Sequence, residues 1–315
     1  RDLHSFPTRR SSDLQLVSGG VFFKIKKPGG IEPDAARHVI NTVVLNFFLP
    51  ALCFKVIAEA PVDRNTLLLP VSAALTVFVL LIFSFAVFGI IGKFVRLKNK
   101  QKGVLVIASA FSNVTFLGLP LLTGLYGGQA AQYVLIYDLL AVTPLVWFAG
   151  ASIASYYGRG EKLSVKESIK NLAALAPIWA LILGFAANFT QTRMPVFLVK
   201  TLDLMSMPIA PLMIFTVGLA LAVPETKEAL LLIAALVIKL CIAPLTAYCI
   251  AAGLGMDGLP FKIGIMEAAL PTMVLTLVLA SKYKLDHKLA AMTVAASTAV
   301  SFITVPAVFF LAGGH

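Results

Sequence analysis

Residues 103–127, GVLVIASAFSNVTFLGLPLLTGLYG, are long and apolar enough to cross a bilayer as a helix, which takes about 20 residues. Their middle argues against an unbroken one. Asn113 sits at the centre, Thr115 and Gly118 follow, and Pro120 cannot donate the helical hydrogen bond to the carbonyl of Phe116. An unpaired carbonyl in hydrocarbon costs several kcal/mol, so such a break survives only where protein, water or a ligand covers it. Residues 259–281, LPFKIGIMEAALPTMVLTLVLAS, repeat the device in the second half of the chain. There Pro271 is expected to free the carbonyl of Glu267, itself an acidic residue near mid-membrane.

Composition places both stretches in a membrane protein. Hydrophobic residues make up 59% of the 315 and charged ones only 13%, and the mean hydropathy is +0.91. A net charge of +11 raises nucleic acid as a partner, but the cations lie in short segments between apolar spans, as in cytoplasmic loops. No nucleic-acid role is therefore expected. Cys53, Cys241 and Cys249 fall inside apolar spans and are expected to be buried thiols, with neither a disulfide framework nor metal-ligand spacing.

The polar leader 1–14, RDLHSFPTRRSSDL, lacks the apolar core and cleavage site of a signal peptide and reads as a non-native scar. The apolar piece behind it, 14–25, is about 18 Å long as a helix, too short to span, and is expected to be a truncated first helix. Spans follow at 37–58, 66–91, 103–127 and 130–156, then a polar basic linker at 157–170. The second half repeats the count at 169–190, 195–223, 228–253, 259–281 and 288–312. The expected architecture is all-α and integral to the membrane: ten transmembrane helices, five (15–156) before the linker and five (171–315) after it. Pro50–Ala51–Leu52–Cys53–Phe54 parallels Pro211–Leu212–Met213–Ile214–Phe215, and the broken fourth span parallels the broken ninth. Five is odd, so the second copy enters from the opposite side, as an inverted repeat.

Lys and Arg set the orientation. They crowd the loops after odd-numbered spans: Lys24–Arg37, Lys93–Lys102, Arg159–Lys170, Lys227 and Lys282–Lys288. The other side holds Arg64, Arg193 and Lys262. The positive-inside rule then puts the linker in the cytoplasm of a multi-pass cell-membrane protein and both termini outside.

Few charges remain at membrane depth. Lys55 and Lys200, near span ends, are expected to snorkel to the interface. Asp138, Lys239 and Glu267 lie deeper, where a charge costs about 2.5 kcal/mol or more and is normally paired or faces a cavity. Lys239 could pair with Asp138 or with Glu267. Asn113 could satisfy freed backbone groups or, beside Ser112 and Thr115, line a site. Half-helix N-termini suit an anion, and the carbonyls expected to be released by Pro120 and Pro271 suit a cation or proton donor.

These residues resemble the auxin efflux carrier family in its compact bacterial form. The resemblance rests on Asn46–Phe47–Phe48–Leu49–Pro50–Ala51, on Phe111–Ser112–Asn113 with Phe116, Gly118 and Pro120, on Glu267–Ala268–Ala269–Leu270–Pro271, and on Lys239 with Pro244. It implies a ten-helix inverted repeat whose fourth and ninth helices cross at their prolines. It also implies a scaffold of helices one, two, six and seven facing a moving bundle of three to five and eight to ten. Similar proteins carry organic acids such as malate, malonate or auxin. Val114–Thr115 departs from the Thr-Gly pair common after the Asn, and the short linker argues against auxin.

The function expected is secondary transport of an organic carboxylate by alternating access. Ser112, Asn113, Thr115, Pro120, Pro271 and Thr272 would form the substrate site, with Asp138, Lys239 and Glu267 as the charges that couple a proton. A sodium-coupled symporter resembling the bile-acid family is the alternative. Partners would be a small organic acid, a proton or Na⁺, the lipid bilayer and, with room left for it, a second copy in a homodimer. No cofactor or metal is implied. No H-E-x-x-H, G-x-S-x-G or G-x-x-x-x-G-K-[ST] occurs, so neither an enzyme nor a nucleotide-driven pump is indicated.

Overall fold

The computed structural model describes residues 6–61, 63–191, 194–220 and 229–312. Expectations placed on Arg193, on Lys227 and on the first five residues of the leader lie outside them. The described chain is helical: α1 (Phe6–Lys26), α2 (Pro33–Ala58), α3 (Arg64–Phe94), α4 (Asn99–Ala110), α5 (Val114–Tyr126), α6 (Ala130–Arg159), α7 (Val165–Ala173), α8 (Ala176–Phe189), α9 (Val196–Leu219), α10 (Leu230–Gly253), α11 (Gly258–Ala269), α12 (Leu275–Lys282) and α13 (His287–Leu311). Among the described residues no strand forms. Six helices, α2, α3, α6, α9, α10 and α13, are long and apolar enough to cross a membrane, or seven if α7 and α8, bent by 71°, count as one span. The protein is an integral, multi-pass membrane protein.

The prolines shape these helices in an unexpected way. Pro50, Pro120, Pro144 and Pro244 do not end a helix. Each follows a five-residue π-helical turn: Val44–Phe48, Val114–Gly118, Asp138–Val142 and Ile238–Ile242. Where a proline cannot bond four residues back, the amide before it reaches five back. Leu49 N–H bonds Val44 O, Thr143 bonds Asp138 O and Ala243 bonds Ile238 O. The helix continues through the wide turn instead of ending at the proline.

The chain divides into two compact units, each assembled from non-consecutive stretches. The first contains α1, α2, α5, α8 and α9. Glycines bring its backbones together: a Cβ on Gly20 would fall 2.3 Å from Phe215 O, and one on Gly218 would fall 2.2 Å from Val17 O. Small residues give membrane helices this close approach. Asn188 Nδ2 donates to the carbonyls of Ile57, Ala58 and Ala60 at 3.1, 3.0 and 2.9 Å and closes the end of α2. Lys55 forms an ion pair with Asp203. The pair gives Lys55 a carboxylate partner within the unit, and Lys200 is exposed. The thiol expectation is corrected. Cys53 is buried, but Cys241 and Cys249 on α10 are exposed.

The second unit contains α3, α4, most of α6, α7 and α10–α13. α3 packs on α4, α6, α10 and α11, while α13 packs on α4, α10, α11 and α12. The helix ends between α4 and α5 and between α11 and α12 define the candidate site.

A crossed pair of helix ends as the candidate functional site

Pro271 dictates one of the two interruptions. A proline pushes the residue before it out of the α region, and Leu270 is extended at φ −63°, ψ 153°. α11 therefore ends at Ala269. The expected consequence for Glu267 does not follow. Its carbonyl is not left free, because Leu270 N–H turns back and donates to it at 3.3 Å.

The other interruption has no proline in it. α4 ends at Ala110, Phe111 is extended at φ −103°, ψ 126°, and α5 resumes at Val114. The break thus lies upstream of Pro120, which sits inside the continuing helix behind its π turn. This corrects the expectation of a crossing at the two prolines.

The two extended pieces run antiparallel, with Ser112 opposite Thr272. Asn113 N–H donates to Pro271 O at 2.9 Å, and Met273 N–H donates to Phe111 O at 3.1 Å. Side chains complete the satisfaction of backbone groups that the helices abandoned. Thr272 Oγ1 donates to Ala108 O at 2.8 Å, and Ser297 Oγ on α13 accepts from Thr272 N–H at 3.1 Å. An unmade bond at each of these groups would cost about 1–3 kcal/mol.

Lys239 ties the crossing together. It projects from the π turn of α10 and is fully buried, and its Nζ donates to Ser112 Oγ and to Ala268 O, both at 2.7 Å. It serves one oxygen from each broken helix. Its Nζ donates to these two oxygens rather than to Glu267, whose charge acts on it without a hydrogen bond. Glu267, next to Ala268, is also fully buried, and both its carboxyl oxygens lack a hydrogen-bond partner. Lys239 and Asp138 are the charged groups that act on it electrostatically. Asp138 begins the π turn of α6, and Thr143 Oγ1 donates to its Oδ1 at 2.8 Å. Each of the deep charges Asp138 and Lys239 thus sits on a π turn, a feature frequent at functional sites.

The structure brings Ser112, Asn113, Pro271, Thr272 and Lys239 into one hydrogen-bonded group and sets Glu267 at its edge. Asn113 enters through its backbone N–H. Thr115 and Pro120 belong to the first unit. Sequence reasoning missed Ser297, and it missed the buried hydroxyls of Ser109 and Thr276, which carry no partner. A hydroxyl in an apolar helix is too common to single out, because it can bond its own helix's carbonyl, as Thr293 does with Leu289 O.

A family model described as membrane transport protein matches residues 14–309. The chain belongs to that family. It is the auxin efflux carrier family that the residues resemble. Similar proteins include an uncharacterised transporter of Methanocaldococcus jannaschii, 26% identical, with 93% of this chain and 94% of the relative covered. An uncharacterised transporter of Methanothermobacter thermautotrophicus is 28% identical over 94% of each chain. A Rhizobium meliloti protein named "Putative malonate transporter" is 27% identical, with 89% of this chain and 88% of the relative covered. This protein is a membrane transporter.

Proposed function

We propose that the protein moves a small organic carboxylate across the cell membrane by alternating access, with Glu267 carrying the coupling proton. The observation that supports this reading best is the crossing itself. Two interrupted helices meet at Ser112 and Thr272 beside a buried cation, Lys239, and a buried carboxyl, Glu267, without a partner. Interrupted helices in corresponding positions of the two halves form the substrate and ion sites of many secondary transporters.

In this reading the substrate carboxylate binds at the half-helix ends around Ser112, Asn113 and Thr272. Pro271 shapes the path beside Thr272, and Asp138 and Lys239 tune the charge on Glu267. An unpartnered buried carboxyl is suited to cycling a proton, because its neutral form needs no counter-charge. The malonate named for the Rhizobium relative makes C3 and C4 dicarboxylates the first substrates to try. The same reading carries the ten-helix inverted repeat and cytoplasmic basic loops, for which the two interruptions and the Lys and Arg distribution are the support.

The test is uptake into proteoliposomes by Glu267→Gln. The variant keeps the shape of the neutral carboxyl but cannot cycle charge. It is expected to bind substrate and to lose the dependence of transport on the pH gradient. Unchanged pH dependence refutes the role of Glu267 and moves the search to Asp138. Loss of wild-type uptake when Na⁺ is replaced by choline selects sodium coupling instead. Orientation is checked separately, with an impermeant thiol reagent on single cysteines placed at 98–102 and 159–170; labelling of these in intact cells sinks it.

A further inference from the structure

Two cavities meet where α3, α4 and α6 end, and the transport reading uses neither. One, of about 510 Å³, is basic, with Lys98, Lys100 and Arg159 in its wall and Asp286 as the acidic residue among them. The other, of about 430 Å³, is mostly apolar, lined by Phe85, Ile153 and Leu163 with Lys162. Tyr156 and Tyr157 line both.

The shared wall is held firmly. A Cβ on Gly103 would lie 2.7 Å from Tyr157, so the α4 backbone abuts the tyrosine, and Phe85 lies 6.3 Å from its ring. A Cβ on Gly158 would strike the Tyr283 carbonyl at 2.0 Å. Arg159 Nη2 donates to Lys282 O at 2.5 Å, with its guanidinium 5.4 Å from the Tyr283 ring. The charge balance in the basic cavity is lopsided. Asp286 Oδ1 accepts from Leu289 N–H at 3.0 Å and caps its own helix. Among the described residues neither Lys98 nor Lys100 is in an ion pair. Both open α4, whose first-turn N–H groups add to the positive end.

We propose that the two cavities together hold one anionic phospholipid. Its phosphate sits against Lys98, Lys100 and Arg159, and an acyl chain runs along Phe85 and Ile153. Charge complementarity selects the head group, since Arg and Lys beside a helix start suit phosphate. The adjoining groove selects a lipid over a soluble anion. Phe85 lies nine residues before Phe94, the last residue of α3, about 14 Å along the helix at 1.5 Å per residue, which is acyl-chain depth. Tyr156, 58% exposed, lies at the junction of the cavities, where an interfacial tyrosine belongs. The site is independent of the transported substrate and of which side the loops face.

Native mass spectrometry and thermal unfolding of the purified protein with phosphatidylglycerol, phosphatidylcholine or inorganic phosphate test this. Phosphatidylglycerol is expected to be retained and to raise the melting temperature; phosphatidylcholine is expected to do neither. K98Q/K100Q should weaken phosphatidylglycerol retention by about tenfold or more. Ser152 also lines the apolar cavity, and S152W, which fills it, should weaken retention as well without altering any response to inorganic phosphate. Equal retention of both lipids, or retention that neither variant reduces, overturns the proposal. Stabilisation by inorganic phosphate equal to that by phosphatidylglycerol makes the cleft a soluble-anion site and overturns it too.

Discussion

The segments around Pro271 and Pro120 begin from the same chemistry and end differently. Each is an apolar stretch carrying a proline that cannot donate to the helix. At Pro271 the helix stops and the chain runs extended to Met273. At Pro120 the chain passes through a π turn and remains helical. Meanwhile residues 111–113 are extended with no proline among them. A missing donor is therefore a tolerable defect, whereas an extended break requires partners. Residues 111–113 and 270–273 supply partners to each other and draw further ones from Lys239, Ser297 and Ala108. Hydrocarbon offers no water to replace them, so the two breaks depend on each other.

The largest effect should come from Lys239→Met. It strips the donor from Ser112 Oγ and Ala268 O and leaves the Glu267 carboxyl without a nearby cation. Leaving a buried acceptor without its donor costs about 1–3 kcal/mol at each of the two oxygens. We expect loss of uptake and a large fall in the detergent melting temperature. A variant as stable as the parent would show that the cation does not hold the crossing.

Next comes Thr272→Val, which keeps the side-chain shape but abandons Ala108 O. An orphaned buried carbonyl costs about 1–3 kcal/mol. The fall in chemical-denaturation midpoint should exceed that of Thr201→Val, whose hydroxyl bonds its own helix on an exposed face. Equal falls would remove the distinction between the bridge and an ordinary helical hydroxyl.

Pro271→Ala and Pro120→Ala bear on the comparison directly. Each should cost about 1 kcal/mol or less, mainly through the greater freedom of the unfolded chain. Hydrogen exchange should show the amides of Asn113 and Met273 still protected in Pro271→Ala, because the bridge rather than the proline holds the extended form. Loss of that protection would return the cause to the proline.

The smallest effect is expected where the same hydrogen-bond chemistry meets water. Asp63 caps α3 by accepting from Thr66 N–H and Thr66 Oγ1, both at 2.7 Å, and these bonds hold its carboxyl below the ordinary 3.8. A depressed carboxylate stabilises above its unfolded value and loses that contribution as pH falls through the folded one. Asp63→Asn should therefore lower stability by about 1 kcal/mol or less near neutrality and abolish its share of the pH dependence below 3.8. An effect as large as that of Thr272→Val would erase the contrast between a dry break and a wet cap.

Hydropathy determined the class of this chain. Runs of apolar residues bounded by Lys and Arg can only be membrane helices, because burying the backbone in lipid demands internal hydrogen bonds. The break before Pro271 was likewise readable, since a proline restricts the residue before it through local sterics alone. The π turns before Pro50, Pro120, Pro144 and Pro244 were not, because a missing donor can be met by a break or by a wider turn, and neighbouring helices choose between them. Nor did any local signal mark residues 111–113 as extended, pair Lys55 with Asp203, or give Lys239 to Ser112 and Ala268 rather than to Glu267. Those outcomes join residues far apart in the chain, and only tertiary packing decides which partners lie within hydrogen-bonding distance.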